Sequence, residues 1–403
     1  MSKSINIFFL YIFVFSLPLS EGIKNISWFL YIISWIFSNV NKFGLVELIK
    51  KESIKINILY FLILIPPTLV ALFCKTNLEE WDGAWDVLRY GLIGFTICHT
   101  NYSNRQILNL FYIITISTFI GILHGLYNHL YNGFEFIQLH SVGHVNHSSI
   151  YLSIALSIVL STLITINKIN NLSMVYSFIL ILFLFTLLEM ATRGSIIPLL
   201  LSIILILSLH NNRTKNLLIL SFLSTLIILF CYIFNIEVIN KFMNGGLSNR
   251  IKLFNSSCIL LQSSPFWGVG LENSIFYFEH KKFLSICELL NIKFDDNEYQ
   301  TDHVHAHNFY MQSLVERGVI GTIPQIIFLV YWAKSLSSNF RLIKNKLMFI
   351  SWNVSLASFI MIFLGGIFNT TFHHENALLS LILFSINYTL FKLDTLKRNG
   401  HNT

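Results

Sequence analysis

Residues 302–321 read DHVHAHNFYMQSLVERGVIG, and they join the longest polar segment of the chain to a hydrophobic run that ends near Trp332. His303, His305, His307, Asn308, Glu316 and Arg317 all fall in this one stretch of an otherwise apolar sequence. A helix starting at about His307 places His307, Met311, Leu314, Gly318 and Gly321 on one face, at i, i+4, i+7, i+11 and i+14. The two glycines on that face allow a neighbouring helix to come close. His307 is then expected in the first turn, at a membrane–water boundary, wet enough to titrate and dry enough to be tuned.

The surroundings of that stretch set the class. The chain has 403 residues, 54% hydrophobic and 12% charged, with a mean hydropathy of +0.64; a soluble domain carries about 25% charged residues. Backbone groups in lipid must be satisfied within their own segment, so the spans are helices. Hydropathy marks about twelve of them, roughly 15–25 residues each. The expected fold is an all-α integral membrane protein in three parts: nine spans over 1–235, one large loop with amphipathic helices over 236–306, and three spans with a tail over 307–403. The first apolar run, Ile5 to Leu19, lacks a small-x-small exit and reads as a retained span.

Charge sets the orientation. With the N-terminus inside, the short inner loops hold Lys42, Lys50, Lys51, Lys55, Arg105, Lys168, Arg213, Lys215, Lys334, Arg341, Lys344 and Lys346, and the tail adds Lys392, Lys397 and Arg398. The short outer loops hold only Lys24, Lys75 and Arg193. Both ends are therefore expected in the cytoplasm and the large loop on the far side. The net charge of +7 is spread through many loops and points to no nucleic-acid partner.

Chemistry-bearing residues gather on that far side. Arg193, in MATRGS (190–195), stands at the mouth of a hydrophobic hairpin, where it either snorkels or holds an anion. Arg250 lies just past Gly245 and Gly246 and begins an amphipathic helix over 249–261, followed by a tight turn, SPFWGVG, at 264–270. The alternating His303, His305 and His307 suit a general base better than a metal, because an alternating triplet is poor ligand geometry. His373, His374 and Glu375 form a second cluster that can line the same cavity, and His140, His144 and His147 a looser one. Glu316 and Arg317 do not face each other at i, i+1, so one of them is expected to line a polar cavity. Cys258 and Cys287 share the large loop and can pair only if it faces an oxidising space. No Gly-rich phosphate loop or serine elbow is present.

Three of these patterns, in order, resemble the O-antigen ligase and polymerase superfamily of bacterial envelopes: Thr192-Arg193-Gly194-Ser195; Arg250 followed by a helix and Pro265-x-x-Gly268-x-Gly270; and His305-x-His307-Asn308, Leu314, Glu316-x-Gly318-x-x-Gly321. The resemblance covers about residues 145–335. It implies a glycosyltransferase in the Gram-negative inner membrane, with a periplasmic active site and an undecaprenyl-diphosphate-linked glycan as donor. In the ligase branch, which chain length and the His-x-His-Asn pattern favour, the acceptor is a hydroxyl of lipid A-core in lipopolysaccharide biosynthesis. In the polymerase branch it is another lipid-linked repeat unit. A polysaccharide or lipid transporter is the remoter expectation. Physical chemistry then assigns roles. Arg193 and Arg250 hold the diphosphate by bidentate contacts without a metal or other cofactor. His307 is the expected base with His305 as its alternate, and Asn308 and Glu316 support them.

Overall fold

The computed structural model describes residues 3–40, 44, 54–73, 79–166, 170–190, 192–209, 247–301 and 305–400. The expected span at 216–235, the pair Gly245 and Gly246, and His303 lie outside the described residues. Among those described, every regular element is helical. The helices are α1 (Lys3–Ser16), α2 (Glu21–Trp35, continued by a π turn, Ile36–Val40), α3 (Ile54–Phe73), α4 (Glu79–Cys98), α5 (Asn104–Tyr131), α6 (Val145–Thr165), α7 (Asn171–Met190) and α8 (Arg193–Ser208). There follow α9 (Leu247–Ser263), α10 (Ser274–Tyr277), α11 (His280–Leu289), α12 (Phe309–Phe340), α13 (Lys346–Phe363) and α14 (His374–Gly400).

Among the described residues, seven helices are long and apolar enough to cross a membrane: α3, α5, α6, α7, α12, α13 and α14; α1 and α8 are shorter apolar helices. The spans expected near 25–40 and 85–100 appear as α2 and α4. Both carry charge, Glu21 and Lys24 in one, Asp82, Asp86 and Arg89 in the other. Those charges are set into the site described below.

Helix α6 is central and packs against α5, α7, α8, α13 and α14. Ser149, Ser153, Ser157 and Ser161 recur along it at i+4, all buried. Small side chains let neighbouring backbones approach closely. Two of the hydroxyls are satisfied within the helix: Ser153 Oγ donates to Ser149 O at 2.8 Å and Ser157 Oγ to Ile154 O at 2.6 Å.

Helix α12 differs from its sequence reading in two ways. Asn308 is its N-cap, accepting from Met311 N at 3.0 Å. His307 therefore precedes the helix, in left-handed backbone at φ 46°, rather than occupying its first turn. The helix also breaks at Gly318 (φ 58°, ψ −166°), so the single face through Gly318 and Gly321 does not exist. The reason is a loop inserted edge-on. In an unbroken helix, Val319 N and Ile320 N would donate to Val315 O and Glu316 O. Instead they donate to Pro265 O (2.9 Å) and Phe266 O (3.2 Å), while Val269 N and Gly270 N donate to Val315 O (2.7 Å) and Glu316 O (3.1 Å). Each backbone group freed by the break finds a partner in 265–270, which a buried helix interruption requires. The Pro-x-x-Gly-x-Gly and Glu-x-Gly patterns are the two halves of this interlock. A Cβ on Gly318 would strike the Phe266 carbonyl, and one on Gly268 (φ 74°) the Glu316–Arg317 backbone.

Residues 247–301 fold on this joint. Leu253, Ile259, Leu260, Phe278, Phe283 and Cys287 form a small core that includes Val269 and Val315 from the two sides of the interlock. The expected amphipathic helix is α9. Cys258 and Cys287 are both free thiols.

Candidate functional site

At one end of the bundle, the starts of α2, α4, α6 and α14 surround a cavity of about 840 Å³ together with the loops at 141–144, 272, 305–307 and 369–370. The opposite end gathers Lys55, Lys334 and Lys392 around a smaller recess. The cavity brings together His305 and His307, as well as His144, His147, His374 and Glu375, joining histidine clusters that are far apart in sequence.

Arg250 and Asn308 meet just beside it, on the turn after α13. Arg250 Nη1 donates to Phe368 O at 3.3 Å and Asn308 Nδ2 to Ile367 O at 3.0 Å. Gly194 packs on the same turn: a Cβ there would lie 3.4 Å from Phe368 Cβ. The backbone that follows Arg193 therefore converges with Arg250 and Asn308, although the Arg193 side chain lies outside the description. Glu316 and Arg317 line no part of the cavity; both are buried. Glu316 Oε1 accepts from Ser274 Oγ (3.1 Å) and Gln312 Nε2 (2.7 Å), which ties its side chain into the interlock that its carbonyl also serves. The expectation that one of this pair lines the cavity is not met: Glu316 is turned into the joint, and Arg317 is buried near Glu316, Tyr90 and Glu272.

Sequence reading passed over a charge network on the opposite wall. Lys24 Nζ is paired with Glu375 and, at 2.5 Å, with Glu21. Arg89 is paired with Asp86 and donates to Asn25 Oδ1 at 2.6 Å. His374 Nδ1 donates to Asp86 Oδ2 at 2.7 Å, and Tyr90 OH donates to the same oxygen at 3.0 Å. A signal was present: charges inside apolar helices cost several kcal/mol unless paired or functional, roughly 3 kcal/mol at a helix centre.

Backbone strain marks the same place. Among the described residues, four that are not glycine adopt left-handed φ: Glu272 (59°), Asn291 (57°), His307 (46°) and His374 (42°). Asn291 follows the end of α11, an ordinary position for asparagine. The other three all line the cavity. Such strain costs on the order of 1–3 kcal/mol per residue and persists where surrounding structure imposes it. Burial and the nearby Glu316 carboxylate push the Glu272 carboxyl up to about 7. Burial holds the His373 imidazole well below its ordinary value. The arrangement offers neutral imidazoles for proton transfer, carboxylates and amides to orient hydroxyl groups, and a guanidinium at the edge for an anion.

No curated protein matches the chain. Residues 178–326, from within α7 to just past the break in α12, match the family model described as O-Antigen ligase, Wzy_C. That stretch contains Arg193, Arg250, His305, His307, both halves of the interlock and Glu272, and over it the chain is similar to the O-antigen ligase family.

Proposed function

We propose that this protein is an inverting O-antigen ligase that moves a glycan from undecaprenyl diphosphate onto a hydroxyl of lipid A-core. The reaction would take place at the periplasmic face of a Gram-negative inner membrane. The observation that carries the reading is the placement of His307. It opens on the cavity in strained backbone, and the next residue, Asn308, holds the same turn as Arg250.

The acceptor hydroxyl attacks the anomeric carbon and passes its proton to His307, with His305 beside it as alternate. The bond from that carbon to the phosphate oxygen breaks, and its electron pair leaves with undecaprenyl diphosphate. Arg250 and Arg193 meet the charge that accumulates there; a planar guanidinium does this by bidentate contacts aimed at the developing anion. Asn308 positions His307 by capping α12 and tethering it to Ile367. A single in-line displacement inverts the anomeric centre. The arginines handle the diphosphate without a divalent ion, so transfer is expected to persist in chelator.

A repeat-unit polymerase would use the same groups with a lipid-linked acceptor. The test is to incubate purified protein with lipid-linked glycan and core lipid and resolve the products. Glycan on core lipid supports the ligase; elongated lipid-linked glycan with unmodified core lipid assigns the polymerase reaction. Movement of the glycan lipid across the bilayer with no new glycosidic bond would overturn both.

A further inference from the structure

At the edge of the cavity, which Glu272 and His374 line, stands a second constellation that the proposed glycosyl transfer does not use. Glu272, His373 and His374 each offer one ligand atom, and these atoms lie within 4.8 Å of one another. His373 Nε2 sits 3.9 Å from Glu272 Oε1. Its other nitrogen, Nδ1, is buried without a hydrogen-bond partner, so no hydrogen bond from that atom holds the ring. His374 is the reverse case. Its Nδ1 donates to Asp86 Oδ2 at 2.7 Å, which leaves the Nε2 lone pair for a ligand. A metal-binding histidine almost always carries such a carboxylate behind it, because the carboxylate orients the ring and raises its basicity. Asp86 is itself oriented, by Arg89 and by Tyr90. Glu272 and His374 both hold left-handed backbone without being glycine. Their strain sets side chains from two distant segments toward each other.

We propose that Glu272, His373 and His374 form a binding site for a divalent transition metal of the zinc class, with the remaining coordination position open to the cavity. Two imidazoles and one carboxylate suit zinc, cobalt or nickel, whereas magnesium and calcium take oxygen ligands. Zinc bonds of about 2.0–2.2 Å require the three ligand atoms to draw together to roughly 3.3 Å when the ion binds. A bound ion would tie the loop after the interlock to the start of α14, beside His305, whose ring centroid is 5.8 Å from that of His373. The proposal rests on these three residues and Asp86 and does not depend on the diphosphate chemistry.

The experiment uses the full-length protein in detergent, stripped with chelator and titrated with zinc by calorimetry and with cobalt by visible absorption. One tight equivalent and a tetrahedral cobalt band are expected. Glu272→Gln, which keeps shape, and His373→Ala should each weaken binding at least tenfold. Asp86→Asn should weaken it about 10–100-fold, the usual effect of losing the carboxylate behind a ligating histidine. His140→Ala, at a histidine that does not line the cavity, should leave binding unchanged. Absence of tight binding in the native chain would overturn the proposal. So would equal binding by native protein and Glu272→Gln, which would place the ion on exposed histidines, or competition by magnesium as effective as that by zinc. Should His373→Ala not fold, Glu272→Gln alone decides. None of these readouts requires glycosyl transfer, so this proposal and the ligase reading fail independently.

Discussion

The interlock and the cavity both use left-handed backbone, for opposite reasons. At the interlock it is taken by Gly268 and Gly318, where a side chain has no room. At the cavity it is taken by Glu272, His307 and His374, where the side chain is the point of the position. The first arrangement avoids strain so that a loop can stand in for two hydrogen bonds of the helix. The second accepts strain and sets titratable side chains at the cavity. One joint completes the fold, the other is where the proposed chemistry would take place, and they share a short connection from Gly270 to Glu272.

The largest effect expected from breaking this contrast is at the interlock. Gly318→Ala should cost on the order of 4 kcal/mol or more, since both backbone conformation and space forbid it. It should read as loss of a monodisperse peak on size exclusion. Gly133→Ala is the matched control. Gly133 also has positive φ (73°), but nothing lies within 4 Å of a Cβ there, so only the conformational cost remains, about 1–2 kcal/mol.

Next comes the charge network that walls the cavity. Lys24→Met leaves Glu375 buried beside Glu21 without its cation, and breaking a buried pair costs about 3–5 kcal/mol. A lowered melting temperature in detergent should follow, with partial recovery in the double variant Lys24→Met, Glu375→Gln. A melting temperature unchanged by the single variant would show that the pair is solvated rather than buried.

At the cavity the signature should invert. His307→Ala should lower turnover by roughly 10²–10⁴-fold, the usual worth of general acid–base catalysis, with little change in melting temperature. His307→Gly should lose the same activity yet gain about 0.5–1 kcal/mol by releasing strain. If His305→Ala abolishes transfer while His307→Ala does not, the base moves two residues upstream. Arg250→Ala should weaken donor binding by about 10–100-fold, the worth of a charged hydrogen bond, and Arg250→Lys should recover only part of it. The smallest effect belongs to Asn291→Gly. It removes the same kind of strain away from the cavity, so stability should change by less than about 1 kcal/mol and transfer not at all.

Much of this was legible in the chain. Hydropathy and charge are sums over neighbouring residues, so the membrane class and the helices, α9 among them, could be read from windows of sequence. The motifs could be read too, because the interlock's glycines and the His-x-His-Asn step are local patterns. Their meaning was less accessible. Gly318 reads as a helix-packing glycine until the loop at 265–270 is seen to take over the hydrogen bonds of α12. Glu316 reads as a cavity residue until that exchange turns it inward.

What the sequence alone determined is the composition of each part: an apolar helical chain, and a polar stretch at 302–321 rich in imidazole. The tertiary structure decided which of those parts meet. Lys24 finds Glu375, His374 finds Asp86, and Glu272 finds His373 across separations that no helical period spans. The physical reason is that a buried charge or a broken helix must be satisfied by some partner, but local sequence states only the need. The identity of the partner depends on which helix ends the packing of the bundle brings to one face.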